Sequence, residues 1–171
     1  MELIQTHTSK NTSINKENLP RIYTHINWEK FRGKTVLDYG CGRYTEHIRK
    51  LMWRYDMEWY GYDPYWQIDH LNEEALHCKP DIVICSNLFN VLDNYRDVTR
   101  IHDYIRYKLH PIYFFYTVFE GDRSKIGKET KKDCWQRNEP LEDYLYSDEV
   151  IKCRIATKKG DEWTIASKSV I

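Results

Sequence analysis

The chain carries no net charge: 26 Lys and Arg stand against 26 Asp and Glu. Without a global positive field, any grip on nucleic acid has to come from a local patch. No apolar run approaches the ~20 residues of a membrane-spanning helix, so no membrane partner is expected. The opening MELIQTHTSKNTSINKENLP lacks the apolar core of a secretory signal. The five cysteines, Cys41, Cys78, Cys85, Cys134 and Cys153, are odd in number, widely spaced and free of any Cys-x-x-Cys. That argues against a disulfide framework and a zinc cluster, and suits a reducing cytoplasm. The seven histidines include no His-Glu-x-x-His. His77 and Cys78 adjoin each other without further ligands, so no metal is expected.

What remains is a chain of 171 residues, 41% hydrophobic and 30% charged. This is the size and composition of one soluble globular domain with a proper core. Residues 1–20, rich in Thr, Ser, Asn and Lys, read as a flexible arm, and 21–171 as the domain. Fourteen Tyr and six Trp are mostly core filler, with some available to stack on a flat ligand.

Pro20 to Phe31 reads as a short lead-in helix, and Gly33 breaks the chain before a first strand, KTVLDYG. Ile48, Leu51, Met52 and Tyr55 fall on one helical face, with Thr45 placed to cap its start. EWYGYDP is a second strand stopped by Pro64, and DIVICSN a third, its apolar run suited to burial on both faces of a parallel sheet. Asn94 opens a long helix with Asp97 at its N3 position and Val98, Ile101, Ile105 and Leu109 on one face. PIYFFYTVFEG is a fourth strand. Residues 121–138 form a polar loop, LEDYL a single helical turn, and VIKCRIAT with EWTIASKSVI a hairpin around KKGD. The order predicts a Rossmann-like, doubly wound α/β fold: a mostly parallel sheet with a C-terminal antiparallel hairpin and helices on both faces.

Ligands of such sheets sit at the carboxyl ends of the strands, where strand order reverses. Asp38-Tyr39-Gly40-Cys41-Gly42 lies at one such end. Its glycines let the backbone turn tightly and approach a ligand. A dinucleotide turn needs Gly-x-Gly-x-x-Gly, but counted from Gly40 the sixth position is Thr45. Asp38 would repel a pyrophosphate and attract an ammonium. Asp63 follows 25 residues later, near the spacing at which a carboxylate meets ribose hydroxyls. Tyr62 or Tyr65 is placed to flank an adenine, with Pro64 stiffening the turn. An amine, a ribose and an adenine together describe S-adenosylmethionine.

VLDYGCGRY, GYDPY and DIVICSNLF, in that order and spacing, resemble motifs I, II and IV of the class I S-adenosylmethionine-dependent methyltransferases. The resemblance covers about Lys34 to Glu120, and the closing hairpin is similar to that family's last two strands. It implies that Asp38, Gly40 and Gly42 line the methionine end, Asp63 holds the ribose, and Ser86 and Asn87 lie near the methionine or its methyl group. Tyr44 stands where many members carry a third glycine. The cofactor set expected is Asp38, Tyr39, Gly40, Cys41, Gly42, Asp63, Pro64, Tyr65, Ser86 and Asn87.

No cysteine follows a proline, which excludes cytosine-C5 chemistry, and no Asp-Pro-Pro-Tyr follows the third strand. No catalytic residue is named. The loop 121–138 holds six Lys and Arg against three Asp and Glu, a net +3, with Trp135 embedded. Arg123, Lys125, Trp135 and Arg137 are its candidates for a phosphate-and-base surface; an ordinary solvated loop is the plainer alternative. Nucleic acid is the first acceptor expected, a small molecule or a protein the next. A non-catalytic partner subunit that keeps the fold is the competing function.

Overall fold

Val36, Leu37, Ile82, Val83, Ile84 and Cys85 are all fully buried, because the two strands that carry them lie side by side in the middle of one sheet with helices on either face. The computed structural model describes residues 3–12, 16, 18–156 and 162–169, those from 152 onward as backbone. Within it, β1 (Thr35–Tyr39), β2 (Glu58–Tyr62), β3 (Ile82–Ser86), β4 (Tyr113–Phe119), β7 (Val150–Ala156) and β8 (Glu162–Ser169) form a six-stranded sheet of order β2-β1-β3-β4-β8-β7. β1 pairs parallel with β2 and β3, and β3 with β4. β8 is antiparallel to both β4 and β7. The fold is therefore α/β, Rossmann-like and doubly wound, with the antiparallel hairpin at its C-terminal end. The hairpin's KKGD turn lies outside the described residues.

Side chains alternate across the sheet. Val36, Ile82 and Ile84 meet α1 (Arg21–His25), Trp28 and α2 (Glu46–Arg54) on one face. Leu37, Tyr39, Val83, Cys85, Phe114 and Tyr116 meet α3 (Asp69–His77) and α4 (Tyr95–Asp103) on the other. The chain steps from β1 outward to β2, then returns past β1 to β3 and β4, so strand order reverses between β1 and β3.

Five features depart from the sequence reading. α3 was not expected: its one fully buried residue is Ala75, so its apolar stripe is too thin to show as a period. Thr45 precedes α2 without a side-chain capping bond, whereas the Asn94 side chain does cap α4 by accepting the Arg96 N–H at 3.0 Å. The long helix changes character after Asp103, and Tyr104–Leu109 is a π turn. The wider turn shifts the helical phase and carries Arg106 inward, to 6% exposure. The polar loop holds a second small sheet, β5 (Lys128–Lys131) antiparallel to β6 (Cys134–Gln136). Finally, residues 3–12 of the N-terminal arm lie hydrogen-bonded against the body, as described below.

Candidate functional site

The site begins where β1 ends. Gly40 and Cys41 both donate their N–H to the Tyr62 carbonyl, at 2.8 and 3.1 Å, so the chain leaving β1 bends over the end of β2. Gly40 and Gly42 take φ of +84° and +70°, the left-handed region that glycine enters without penalty. A Cβ on Gly40 would stand 2.9 Å from Leu88 Cδ1, so the loop after β3 packs directly onto this turn.

Asp63 fastens the turn to the loop that follows β2. Its Oδ2 accepts the Gly42 N–H at 3.0 Å, and its Oδ1 accepts those of Tyr65 and Trp66 at 2.9 and 3.1 Å. The Asn72 side chain from α3 pairs with both the N–H and the C=O of Asp63, and Gln67 Nε2 donates to the Gly42 carbonyl. Burial raises the Asp63 carboxyl above its ordinary value, opposed by these backbone N–H groups.

Asp38 sits one strand inward, opposite Gly61 of β2 and Ile84 of β3, and is 1% exposed. Tyr23 of α1 donates its hydroxyl to Asp38 Oδ2 at 2.6 Å. Oδ1 is buried and accepts no hydrogen bond among the described residues. Burial pushes the Asp38 carboxyl up to about 7; the Tyr23 hydrogen bond works against that and the nearby Asp63 charge adds to it. Neither acid forms an ion pair among the described residues. On the next strand, Ser86 ends β3 opposite Thr117. Asn87 follows at φ +55°, donating its N–H to the Thr117 carbonyl at 3.0 Å. Its side-chain Oδ1 is the second buried acceptor here without a partner.

The other expected cofactor residues divide. Tyr39 points into the helix-packed core beside Tyr62 and Tyr104, at ring separations of 4.6 and 6.2 Å, so only its backbone belongs to the turn. The Cys41 thiol is pushed well above its ordinary range, by burial first and then by the charges of Asp38 and Asp63, which makes it a poor nucleophile. Pro64 and Tyr65 are exposed at the rim. There Arg43 lies 5.5 Å from the Tyr44 ring and 5.0 Å from the Trp66 ring.

The four residues expected to meet an acceptor are not gathered into one cationic patch. The Arg137 guanidinium is buried, bidentate to Glu139 at 2.8 and 2.7 Å, and donates to the Leu92 carbonyl. Lys125 pairs with Asp143 at 2.7 Å, and Lys128 with Asp122 at 3.1 Å. Arg123 lies 3.6 Å from Glu120 and 3.8 Å from Glu142. Trp135 lies beside His7 of the arm, ring centroids 5.0 Å apart and planes tilted by 31°. A buried amide clasp holds the β5–β6 hairpin over the strand ends: Asn90 Nδ2 donates to Gln136 Oε1 and Gln136 Nε2 to the Phe119 carbonyl, while Asn90 Oδ1 accepts the Phe119 N–H.

Tyr23, Gln67 and Asn72 also complete the site and belong to no spaced motif, so only contact in three dimensions assigns them; Leu88 falls within DIVICSNLF and Trp66 directly after GYDPY, but the sequence alone assigns neither a contact of its own. A cavity of about 280 Å³ lies elsewhere, on the outer flank of β2 between Met52, Trp53, Trp59 and Leu71.

No protein-family model and no curated protein matches the chain. Among solved structures, that of a point mutant of MtNAS is similar with a TM-score of 0.50 at 13% identity, over 88% of this chain and 59% of that one. The chain thus spans about 59% of the length of the structure it matches. The likeness is one of fold alone, the Rossmann-like α/β arrangement described above.

Proposed function

We propose that this chain binds S-adenosylmethionine at the β1–β3 switch point and transfers its methyl group to an acceptor held over the strand ends. The observation that carries this reading is the pair of buried acceptors, unmet among the described residues, at the ends of neighbouring strands: Asp38 Oδ1 near the end of β1 and Asn87 Oδ1 just after β3. A buried acceptor left without a donor costs about 1–3 kcal/mol, and an ammonium is the donor that also answers a carboxylate.

Bound there, the sulfonium would supply an already activated methyl group. The chain's own residues would then have to bind, orient and exclude water. Asp38 would take the amine, ionising fully as it did so. Asp63 would face the ribose. Three of its roughly four acceptor positions already serve backbone N–H groups, so it can take one hydroxyl at once, and a second only by giving up a backbone bond. Tyr65, exposed at the rim, would flank the adenine. Leu88, seated on the Gly40 turn, would have to shift or form the floor of the methionine end.

A second reading, a cofactor-binding partner subunit without chemistry of its own, is favoured by that same Leu88 contact. Titration calorimetry with S-adenosylhomocysteine tests the shared premise: binding is expected for the native chain and lost in Asp38→Ala, while NAD gives no heat. Heat with NAD and none with S-adenosylhomocysteine would remove both readings. Transfer of labelled methyl from S-adenosylmethionine to any acceptor then separates enzyme from subunit.

A further inference from the structure

Residues 3–8 cross the carboxyl ends of the strands as a largely extended peptide bent at Thr6, Ser9 turns at φ +51° into a 3-10 turn over Lys10–Thr12, and the segment is held mainly through its backbone. Ile4 donates its N–H to Asp97 Oδ2 at 2.8 Å; Thr6 and His7 donate theirs to Asp93 Oδ2 at 2.9 and 2.7 Å; Thr8 donates to Asp133 Oδ1 at 2.8 Å. The Ser9 N–H reaches the Asp133 carbonyl at 2.9 Å. From the other side, Trp66 Nε1 donates to the Lys10 carbonyl at 2.8 Å and Lys131 Nζ to that of Asn11 at 2.6 Å. These partners come from the loops after β2 and β3, from the first turn of α4 and from the β5–β6 hairpin after β4, all at the strand-end face where the cofactor is proposed to bind.

Backbone N–H groups are common to every polypeptide, so a track of carboxylates spaced to receive them is a device for binding extended chain in general. Side chains add selection at three places. The His7 ring lies against Trp135, with its Nδ1 at 2.5 Å from Asp93. The Thr8 hydroxyl meets the Asp133 carboxylate. Ser9, only 5% exposed, donates its hydroxyl to the Val91 carbonyl and accepts the Trp135 N–H. The charge disfavours a polyanion: Asp93, Asp97, Asp133 and Glu129 surround the track, and Lys125, Lys128 and Arg137 are paired with acids of their own.

We infer that the acceptor face is a groove for extended polypeptide, selecting a ring followed by Thr and Ser, and that residues 3–10 occupy it in cis. That the groove serves methyl transfer rests on the function proposed above; that it binds peptide does not. A tethered occupant competes at an effective concentration of about a millimolar, so the native chain excludes a peptide in trans until its own arm is displaced.

The test uses the full chain carrying Thr6→Pro and Thr8→Pro, which remove two of the backbone donors, and a fluorescent peptide of residues 1–12. By anisotropy the variant binds the peptide at least tenfold more tightly than the native chain does, and adding Asp93→Ala and Asp133→Ala cancels the gain. His7→Asp, which sets a like charge against Asp93 and Glu129, releases the arm without touching the backbone and behaves the same way. Hydrogen exchange at residues 3–10 is slow in the native chain and fast in both variants. An arm already fast in the native chain, an arm still slow after substitution, a released groove that ignores the peptide, or one that takes a single-stranded oligonucleotide instead would each overturn the inference. Calorimetry with S-adenosylhomocysteine on the same proteins separates the two readings: nucleoside uptake without peptide capture removes the groove alone, and peptide capture without nucleoside uptake removes the cofactor alone.

Discussion

Asp38 is the residue on which most turns. Burial holds its carboxyl near about 7, against 3.8 in an unfolded chain. Across that window the folded protein keeps a proton that the unfolded chain has released, so stability falls as pH rises from about 4 to about 7 and levels off above it. Urea unfolding at successive pH values reads this slope directly, and Asp38→Asn flattens it. Tyr23→Phe removes the hydrogen bond that opposes the shift, so the falling limb extends to higher pH. An ammonium ligand reverses the balance: its binding at neutral pH expels the proton, and affinity for S-adenosylhomocysteine climbs as pH rises through 7. Asp63 behaves differently. Asp63→Ala strips the acceptor from Gly42, Tyr65 and Trp66 together, and should cost about 2–4 kcal/mol of stability in chemical denaturation as well as weakening nucleoside binding. The acids and the glycines between them were legible because each acid closes an apolar strand run and the two stand 25 residues apart, a combination that a lone turn does not need. Tyr23 was not legible, since a tyrosine fifteen residues before Asp38 says nothing until α1 folds back onto β1.

At the scale of elements, strands were read well and their decorations poorly, for a physical reason. β1, β3 and β4 are buried on both faces and announce themselves as apolar runs. α3 shows the sequence only one fully buried alanine, and β5 consists of four exposed residues; both exist through contacts made elsewhere. The π turn after α4 was equally hidden, yet it sets up a buried ionic cluster. Arg106 Nη1 reaches Glu149 Oε1 at 2.8 Å and Nη2 reaches Asp148 at 2.7 Å. Tyr116 and the Tyr146 N–H also donate to Glu149, and His102 Nε2 lies 3.4 Å away. Burial pulls the Glu149 carboxyl up, but His102, Tyr116 and the Tyr146 N–H outweigh it and hold it below its ordinary value. This contribution is present above about 4.5 and is lost as pH falls below it. Glu149→Ala leaves the buried Arg106 guanidinium with Asp148 alone and takes the acceptor from the Tyr116 hydroxyl, and should lower stability by about 1–3 kcal/mol. The apolar pair Arg106→Met with Glu149→Leu recovers most of that loss in the same melt, because it removes the charges together.

Over the whole molecule, a neutral chain has to build its recognition surface from local arrangements, and the strand ends are where it does so. The sheet brings the exit loops of β1, β2 and β3 and the β5–β6 hairpin together at one rim, and the arm lies across them. From composition alone, residues 121–138 carry a surplus of three positive charges, which suited a phosphate-binding surface. Folding removes most of that surplus, because Glu139, Asp143, Glu142 and Glu120 come from just outside the segment to meet Arg137, Lys125 and Arg123. A count along the chain cannot see partners that arrive from beyond its window. The consequence for nucleic acid is measurable. A surface that neutralises phosphates releases counterions, and its affinity falls steeply with salt; one whose cations are already paired has few to release. Single-stranded DNA or RNA should therefore bind only weakly at about 0.15 M salt, with a shallow dependence on ionic strength that Arg123→Ala and Arg137→Ala leave unchanged. A steep dependence that either substitution flattens would restore nucleic acid as the acceptor, since it could arise only if those guanidinium groups left their carboxylates for phosphate.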